Sequence, residues 1–559
     1  MYGELEMLVS NTKKEAVMRG SRSAGGWPLL VGAVLTLAMG GEALAASQVE
    51  LGRRIYEEGI LPSGAKLQGT RFDQSKVSGE DASCAKCHRQ SGMGSKEGKD
   101  PVPPVTGNFL FGGARQSVVL TDPRSPKNII QSQQAYSDAS LAKAIRKGFN
   151  RQGKSMHVLM PRYAMDEQAM KALTAYLRQL SVTHSPGVSE TAIRFATIIA
   201  PGVDPQQRDV LVAMARRAFQ QRNSSMTLRS GRTRAQVQEA RRAERRWDLD
   251  IWELQGAPET WSKQLTDYYS QNPVFAVISG ASNGAWTPVH EFCNRERVPC
   301  LLPSVDLPEE KEGFYSLYFS RGAALEADVL AKHLLDPAHP RPQRVVQLRK
   351  EDKTASAAAQ RLRGALSAAG ITVEDRIVGA QQLEPGKNPL EGLGGQDTAV
   401  FWLRPDDLAG LAKGAPKLPT ASAYFSATLA GGDAVTIPTE WKSGARVAYP
   451  YALGEERARN TQRLHQWLKQ SDYALVNEKF QSEVFFNLVY LSDITMHMLD
   501  NYYRDYLIER TEDMLGQSSN FTVYPRLSLG PKQRFASKGA YIAKFDGDKL
   551  VADTEWIVP

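Results

Sequence analysis

Residues Cys84-Ala85-Lys86-Cys87-His88 read C-x-x-C-H, the spacing by which a chain attaches haem c. Two thioether bonds would fix the porphyrin to Cys84 and Cys87. The imidazole of His88, directly after the second thiol, would then lie under the ring plane and ligate the iron. A structural zinc site is the rival reading. It needs about four ligands in paired groups, and the only other cysteines, Cys293 and Cys300, lie far along the chain. The expectation is therefore one covalent haem c.

On the N-terminal side, Leu51, Ile55 and Tyr56 predict a short amphipathic helix over Val49–Tyr56, with Gly52 allowing close approach. A glycine-rich polar insertion, Glu57 to Ser83, follows. On the C-terminal side, Pro101-Val102-Pro103-Pro104-Val105-Thr106-Gly107 cannot be helical. A rigid turn there can offer a backbone carbonyl to Nδ1–H of His88 and so orient a metal-bound imidazole. A helix is expected from Ser137 or Asp138 to Lys147, ended by Gly148. Another begins near Asp166 with Met170, Leu173 and Leu177 on one stripe. Between them lies Gly153-Lys154-Ser155-Met156-His157-Val158-Leu159-Met160-Pro161-Arg162-Tyr163.

At this point the chain resembles class I c-type cytochromes, in which a Met-Pro-aromatic stretch before the last helix supplies the second axial ligand. The resemblance covers about Ala46 to Leu180. It implies Met160 as that ligand, Pro103 as the proline whose carbonyl steadies His88, and Tyr176-Leu177 as contacts of the final helix. Met156 or His157 are the alternatives for the iron, leaving Met160 as a core methionine. A soft thioether opposite histidine raises the potential and suits electron transfer.

At 559 residues the chain is long enough for three or four units of about 150 residues. With 42% hydrophobic and 23% charged residues it reads as an ordinary globular protein. Lys13, Lys14, Arg19 and Arg22 precede an apolar run from Trp27 to Met39 and then Ala43-Leu44-Ala45, the order of a secretory signal peptide over residues 1–45. Met18 is an alternative start, and an uncleaved anchor is the alternative fate. Export to the periplasm fits haem c and stable disulfides. The net charge of +8 is compatible with acidic partners.

Residues 46–182 are expected to form the cytochrome domain and 183–193 a linker containing a solvated His184. Beyond it, strands and helices alternate. Strands are expected at Phe195–Ala200, Leu249–Leu254, Val274–Ile278, Cys300–Leu302, Val345–Leu348, Val373–Val378 and Val400–Leu403, with a helix over Ala355–Ala369. This alternation predicts parallel sheets flanked by helices.

Residues 194–559 resemble type I periplasmic binding proteins, the Leu/Ile/Val-binding family of ABC transport systems. The resemblance rests on Val277-Ile278-Ser279-Gly280-Ala281-Ser282-Asn283, then a helix, then Val298-Pro299-Cys300-Leu301-Leu302-Pro303. The implied fold is multidomain, an all-α cytochrome c domain followed by a two-lobed α/β module. On this resemblance Ser279, Ala281, Ser282 and Asn283 line a ligand cleft with Trp286 as a wall. A plain strand-to-helix turn is the competing reading of the same residues. The implied partners are a small molecule and an ABC permease.

Cys293 and Cys300 are expected to form a disulfide, with two buried thiols as the alternative. The arginines at 229, 232, 234, 241, 242, 245 and 246 read as a solvated helix or a dock for an acidic redox partner; nucleic acid is not expected. Phe485–Leu499 reads as a buried helix continuing through Tyr502, Tyr503 and Tyr506, and Tyr541–Phe545 with Glu555–Val558 as a closing hairpin. With neither a nucleophile elbow nor a dinucleotide fingerprint, the expected role is electron carriage to or from a periplasmic dehydrogenase or terminal acceptor, not catalysis. A transport or sensing receptor with a regulatory haem is one alternative, and an enzyme that uses haem c as an electron outlet is another.

Overall fold

The computed structural model describes residues 47–112, 116–119, 128–131, 134–228, 245–284, 286–379, 388–415, 417–418, 420 and 422–559. The expected signal segment, 1–45, lies outside these residues, as do the arginines at 229, 232, 234, 241 and 242.

The first unit is built on crossed terminal helices. Residues 47–58 are helical and pack on the helix Glu167–Gln179. The crossing is close because position 52 is glycine: a Cβ there would lie 2.1 Å from the Ala172 carbonyl oxygen. The helix Asp138–Lys147 starts with a Ser137–Ser140 capping box and ends at Gly148, φ +72°. Leu141 and Ile145 are buried with Leu173 and Leu177 in the unit's core.

The unit is not all-α. The Glu57–Ser83 insertion contributes strands Gln68–Thr70 and Lys76–Ser78. The first of these also pairs antiparallel with Arg162–Tyr163, immediately after Met160-Pro161. A second hairpin, Ser95–Glu97 with Asp100–Val102, stands between the C-x-x-C-H motif and Pro103. Glycine-rich sequence hid both, since strands of two or three residues show no usable alternation.

The larger unit has two parallel sheets. In the first, Arg246–Glu253, Ala192–Ile199, Ala276–Ile278, Cys300–Leu301 and Ser316–Leu317 lie side by side in that order. In the second, Thr372–Ile377, Arg344–Arg349, Thr398–Trp402, Ser422–Ser426 and Ala445–Tyr449 run parallel, and Tyr541–Asp546 and Lys549–Ala552 add antiparallel. The closing hairpin therefore turns at Gly547, φ +60°, and pairs with Lys549–Ala552 rather than with Glu555–Val558; Ile557 keeps only a bridge to Ala540. An Asp-Gly turn favours this tight return.

The helix Glu478–Met498 is buried between the lobes, with Phe485, Phe486, Leu491 and Ile494 in the core. It ends at Leu499, φ +54°, and Tyr502, Tyr503 and Tyr506 belong to the next segment, buried in the same core. No described helix is long and apolar enough to cross a membrane.

The expected linker is not free. The strand begins at Ala192, and Ser185 N–H donates to the Tyr502 carbonyl. Gly187 lies against the Val274–Phe275 backbone, too close for any side chain. His184 is not simply solvated, because its Nε2 lies 2.8 Å from the Asp500 carbonyl. Arg245 is 4% exposed and pairs with Asp500 at 2.6 Å, so it is a structural residue and not a docking one.

Candidate functional site

The helical turn Ala85–His88 carries the C-x-x-C-H motif into a cavity of about 440 Å³. Cys84, Cys87, His88 and Met160 all line it, so the structure brings together four residues spread over 77 positions of sequence. Both thiols are free. Apolar walls come from Phe109, Leu110, Leu141, Ile145, Leu173 and Leu177, which serve both the core and the cavity. Such a volume matches what a large planar group needs.

His88 is buried, and its Nδ1 lies 2.9 Å from the Pro103 carbonyl oxygen. With Nδ1 as donor to that carbonyl, Nε2 carries the lone pair, and no hydrogen bond reaches Nε2 among the described residues. Burial lowers the His88 pKa, against the pull of the Pro103 carbonyl, and so keeps the ring neutral. Burial pushes the Cys84 thiol up to about 12 and raises Cys87 as well. Two thiols, a neutral imidazole with a free Nε2, and a thioether around one apolar cavity are a donor set that fits haem c. Met156 and His157 also line the cavity. Of these, His157 faces Asp100 at 3.6 Å at the exposed rim, whereas Met160 packs against the core. Tyr176 packs on Tyr56 at 5.4 Å and donates to Glu57.

The residues expected to form a ligand cleft are used internally. Ser279, φ +55°, accepts from Asn487 Nδ2 at 3.0 Å. Ala281 and Ser282 form a buried strand, and Asn283 donates to the Gly202 carbonyl. Trp286 is 1% exposed, and its indole N–H has no acceptor among the described residues. The reading as a strand-to-helix turn describes them better.

One small space between the lobes, about 10 Å³, is lined by Asp306, Thr428, Tyr451, Lys479, Glu483 and Tyr524. That is room for at most one water. Lys479 Nζ lies 2.9 Å from Glu483, and Tyr524 donates to the same carboxylate at 2.9 Å. Burial opposes the Lys479 charge, but Glu483 and Asp306 hold its pKa above the ordinary value. Nearby, Glu326 is fully buried and accepts from Thr428. Periodicity gave no warning of these residues, because buried charges in apolar helices look like solvated faces. Cys293 and Cys300 form a disulfide, with Cα atoms 6.2 Å apart.

The larger part of the chain is similar to solved ABC-transport proteins. One is a branched-chain amino acid ABC transporter protein from Thermus thermophilus with bound valine, at 10% identity, 66% of this chain, 98% of that one and a TM-score of 0.49. Another is a fatty acid ABC transporter substrate-binding protein from Thermomonospora curvata, at 13% identity, 68% and 95% coverage and a TM-score of 0.45. No curated protein matches in sequence. The cytochrome c family model matches residues 76–181, a stretch that includes Cys84, Cys87, His88, Pro103 and Met160. The chain therefore carries a cytochrome c domain, and with it the means to bind haem covalently.

Proposed function

We propose that the protein is an exported electron carrier with one haem, fixed by Cys84 and Cys87 and ligated by His88 and Met160, and that the α/β unit is the platform on which a redox partner docks. The observation that carries the proposal is the single cavity wall shared by those four side chains, with His88 Nδ1 already engaged by Pro103. When bound, the haem supplies a one-electron couple.

The chain's own residues set its terms. Pro103 fixes the imidazole orientation, the apolar walls keep water out, and the Met160 thioether favours the reduced state. His88 and Met160 together would hold the haem iron from both sides, and the group would then supply electron transfer and not substrate chemistry. Holoprotein matured with haem-ligation machinery should show a c-type pyridine haemochrome spectrum, one iron per chain and a reversible one-electron titration. A colourless product, or a stoichiometry other than one, rejects the proposal.

The two-lobed topology supports a second reading, a ligand-binding receptor with a regulatory haem; the Lys479–Glu483 pair that already joins charges there weighs against it. Branched-chain amino acids that raise the melting temperature would favour the receptor.

A further inference from the structure

The three residues after His88 are not held by the cytochrome unit alone. Arg89 adopts φ +66°, ψ 167°, a region that only glycine occupies without strain. Such strain persists only where the surroundings over-determine the backbone. Two of the clamps are local: Tyr56, itself a wall of the haem cavity, donates to the Arg89 carbonyl at 2.8 Å, and Ser181 donates to the Ser91 carbonyl at 2.6 Å.

The others come from the α/β unit, chiefly from its helix Arg504–Met514. The Arg89 guanidinium pairs with Glu512, whose side chain is 1% exposed and which also accepts from Arg534 at 2.8 Å. Glu509, equally buried, accepts from Ser91 N–H at 2.8 Å and from the Ser91 hydroxyl. Gln90 donates to Tyr315 at 3.4 Å.

We propose that Glu512 and Glu509 of the α/β unit are positioning residues for the haem iron: by clamping Arg89 and Ser91 they fix the backbone that leaves His88, and with it the imidazole orientation. This rests on the reading of His88 as axial ligand. The strained conformation cannot relax while both carboxylates hold it. The haem and the platform are thus coupled through one short segment, and a change in how the α/β unit packs would register at the iron.

The test uses full-length holoprotein carrying Glu512→Gln, Ser91→Ala or Arg89→Gly, and the double variant Arg89→Gly/Glu512→Gln. Its readouts are the midpoint potential and the low-spin ferric EPR spectrum, which report ligand orientation and not mere foldedness. Glu512→Gln should change the ferrous-to-ferric ratio at a fixed poise at least threefold, about 28 mV at 59 mV per tenfold, and should alter the g-values. Glycine accepts the backbone angle without a clamp, so Glu512→Gln should add little in the Arg89→Gly background; a bare through-space charge effect would persist there and overturn the proposal. Ser91→Ala, which keeps its backbone N–H, should give a smaller shift in the potential. If Glu512→Gln fails to fold, Ser91→Ala decides in its place. Wild-type potential and g-values in folded Glu512→Gln and Ser91→Ala overturn the proposal. Wild-type protein that binds no haem would instead refute the reading of the site beneath it.

Discussion

Replacing Glu326 by glutamine should remove a pH dependence that the lobe interface builds into stability. Glu326 sits in the first turn of the helix Ala323–Leu335 with no solvent exposure. It accepts from Thr428 N–H at 2.9 Å and Thr428 Oγ1 at 2.7 Å, and from the Ser426 hydroxyl. Burial outweighs those donors and pushes its pKa from 4.5 up to about 7. A carboxyl whose pKa is raised on folding favours the folded state fully below its unfolded value. That contribution is lost as pH rises through the folded value. The gap of roughly two and a half pH units, at about 1.4 kcal/mol each, amounts to about 3 kcal/mol lost between pH 4.5 and 7. Glutamine mimics the protonated acid: its carbonyl can keep both Thr428 donors, and its amide can donate to Ser426. Urea unfolding followed by far-UV circular dichroism at pH 5, 6, 7 and 8 should therefore show the variant gaining on the wild type by about 2–3 kcal/mol across the series. A stability difference that stays flat with pH would refute the reasoning.

Three further outcomes are expected. Arg504 is 6% exposed and donates six hydrogen bonds, to the carbonyls of Phe275, Glu296, Arg297, Pro186 and Val274 and to the Tyr269 hydroxyl. Arg504→Ala should thus cost about 3–5 kcal/mol in urea unfolding, since bonds from a charged donor contribute about 1.5–3 kcal/mol each and do not add fully. Gly52→Ala drives a methyl into the Ala172 carbonyl and should destabilise the cytochrome unit by about 3 kcal/mol or more, read as loss of haem incorporation and of the Soret circular dichroism signal. Met160→Ala should open the ferrous iron to carbon monoxide; an unchanged spectrum would transfer the ligand role to Met156 or His157.

The cytochrome site was legible because its chemistry is written in adjacent residues and rigid turns. Cys84, Cys87 and His88 lie within one helical turn, and Pro103 reaches the imidazole through a proline-fixed turn. The α/β rhythm was legible too, since buried parallel strands such as Thr398–Trp402 are continuous apolar runs between helices. What escaped depends on partners distant in sequence. Gln68–Thr70 pairs with the nearby Lys76–Ser78 and also with the distant Arg162–Tyr163. Ser279 and Trp286 look like a cleft edge until Asn487, some two hundred residues on, turns Ser279 inward. Glu509 and Glu512 stand in a polar-looking helix, yet both are buried against the segment that follows C-x-x-C-H.

The lobe interface and the clamp on His88 bear on one another. The helix that supplies Lys479 and Glu483 to the space between the lobes also fixes the first lobe, through Asn487 on Ser279 and on the Leu301 carbonyl. A charged ligand gains by meeting unpaired counter-charges. Here the ammonium and the carboxylate already neutralise each other, so a newcomer would have to strand both in a desolvated space before gaining anything. The cross-lobe pair of Asp306 with Arg404, 3.4 Å and partly exposed on the arginine side, would add no more than about 1 kcal/mol to closure. The lobes are held instead by the buried helix and by aromatic packing such as Phe319 on Tyr524, 5.8 Å apart and nearly parallel. The segment following that helix is Arg504–Met514, the one that grips Arg89 and Ser91. A hinge that opened with each ligand would pull on that grip and move the iron's surroundings with it. Lobes held together this way would keep the α/β unit in one shape, as the proposed carrier role needs.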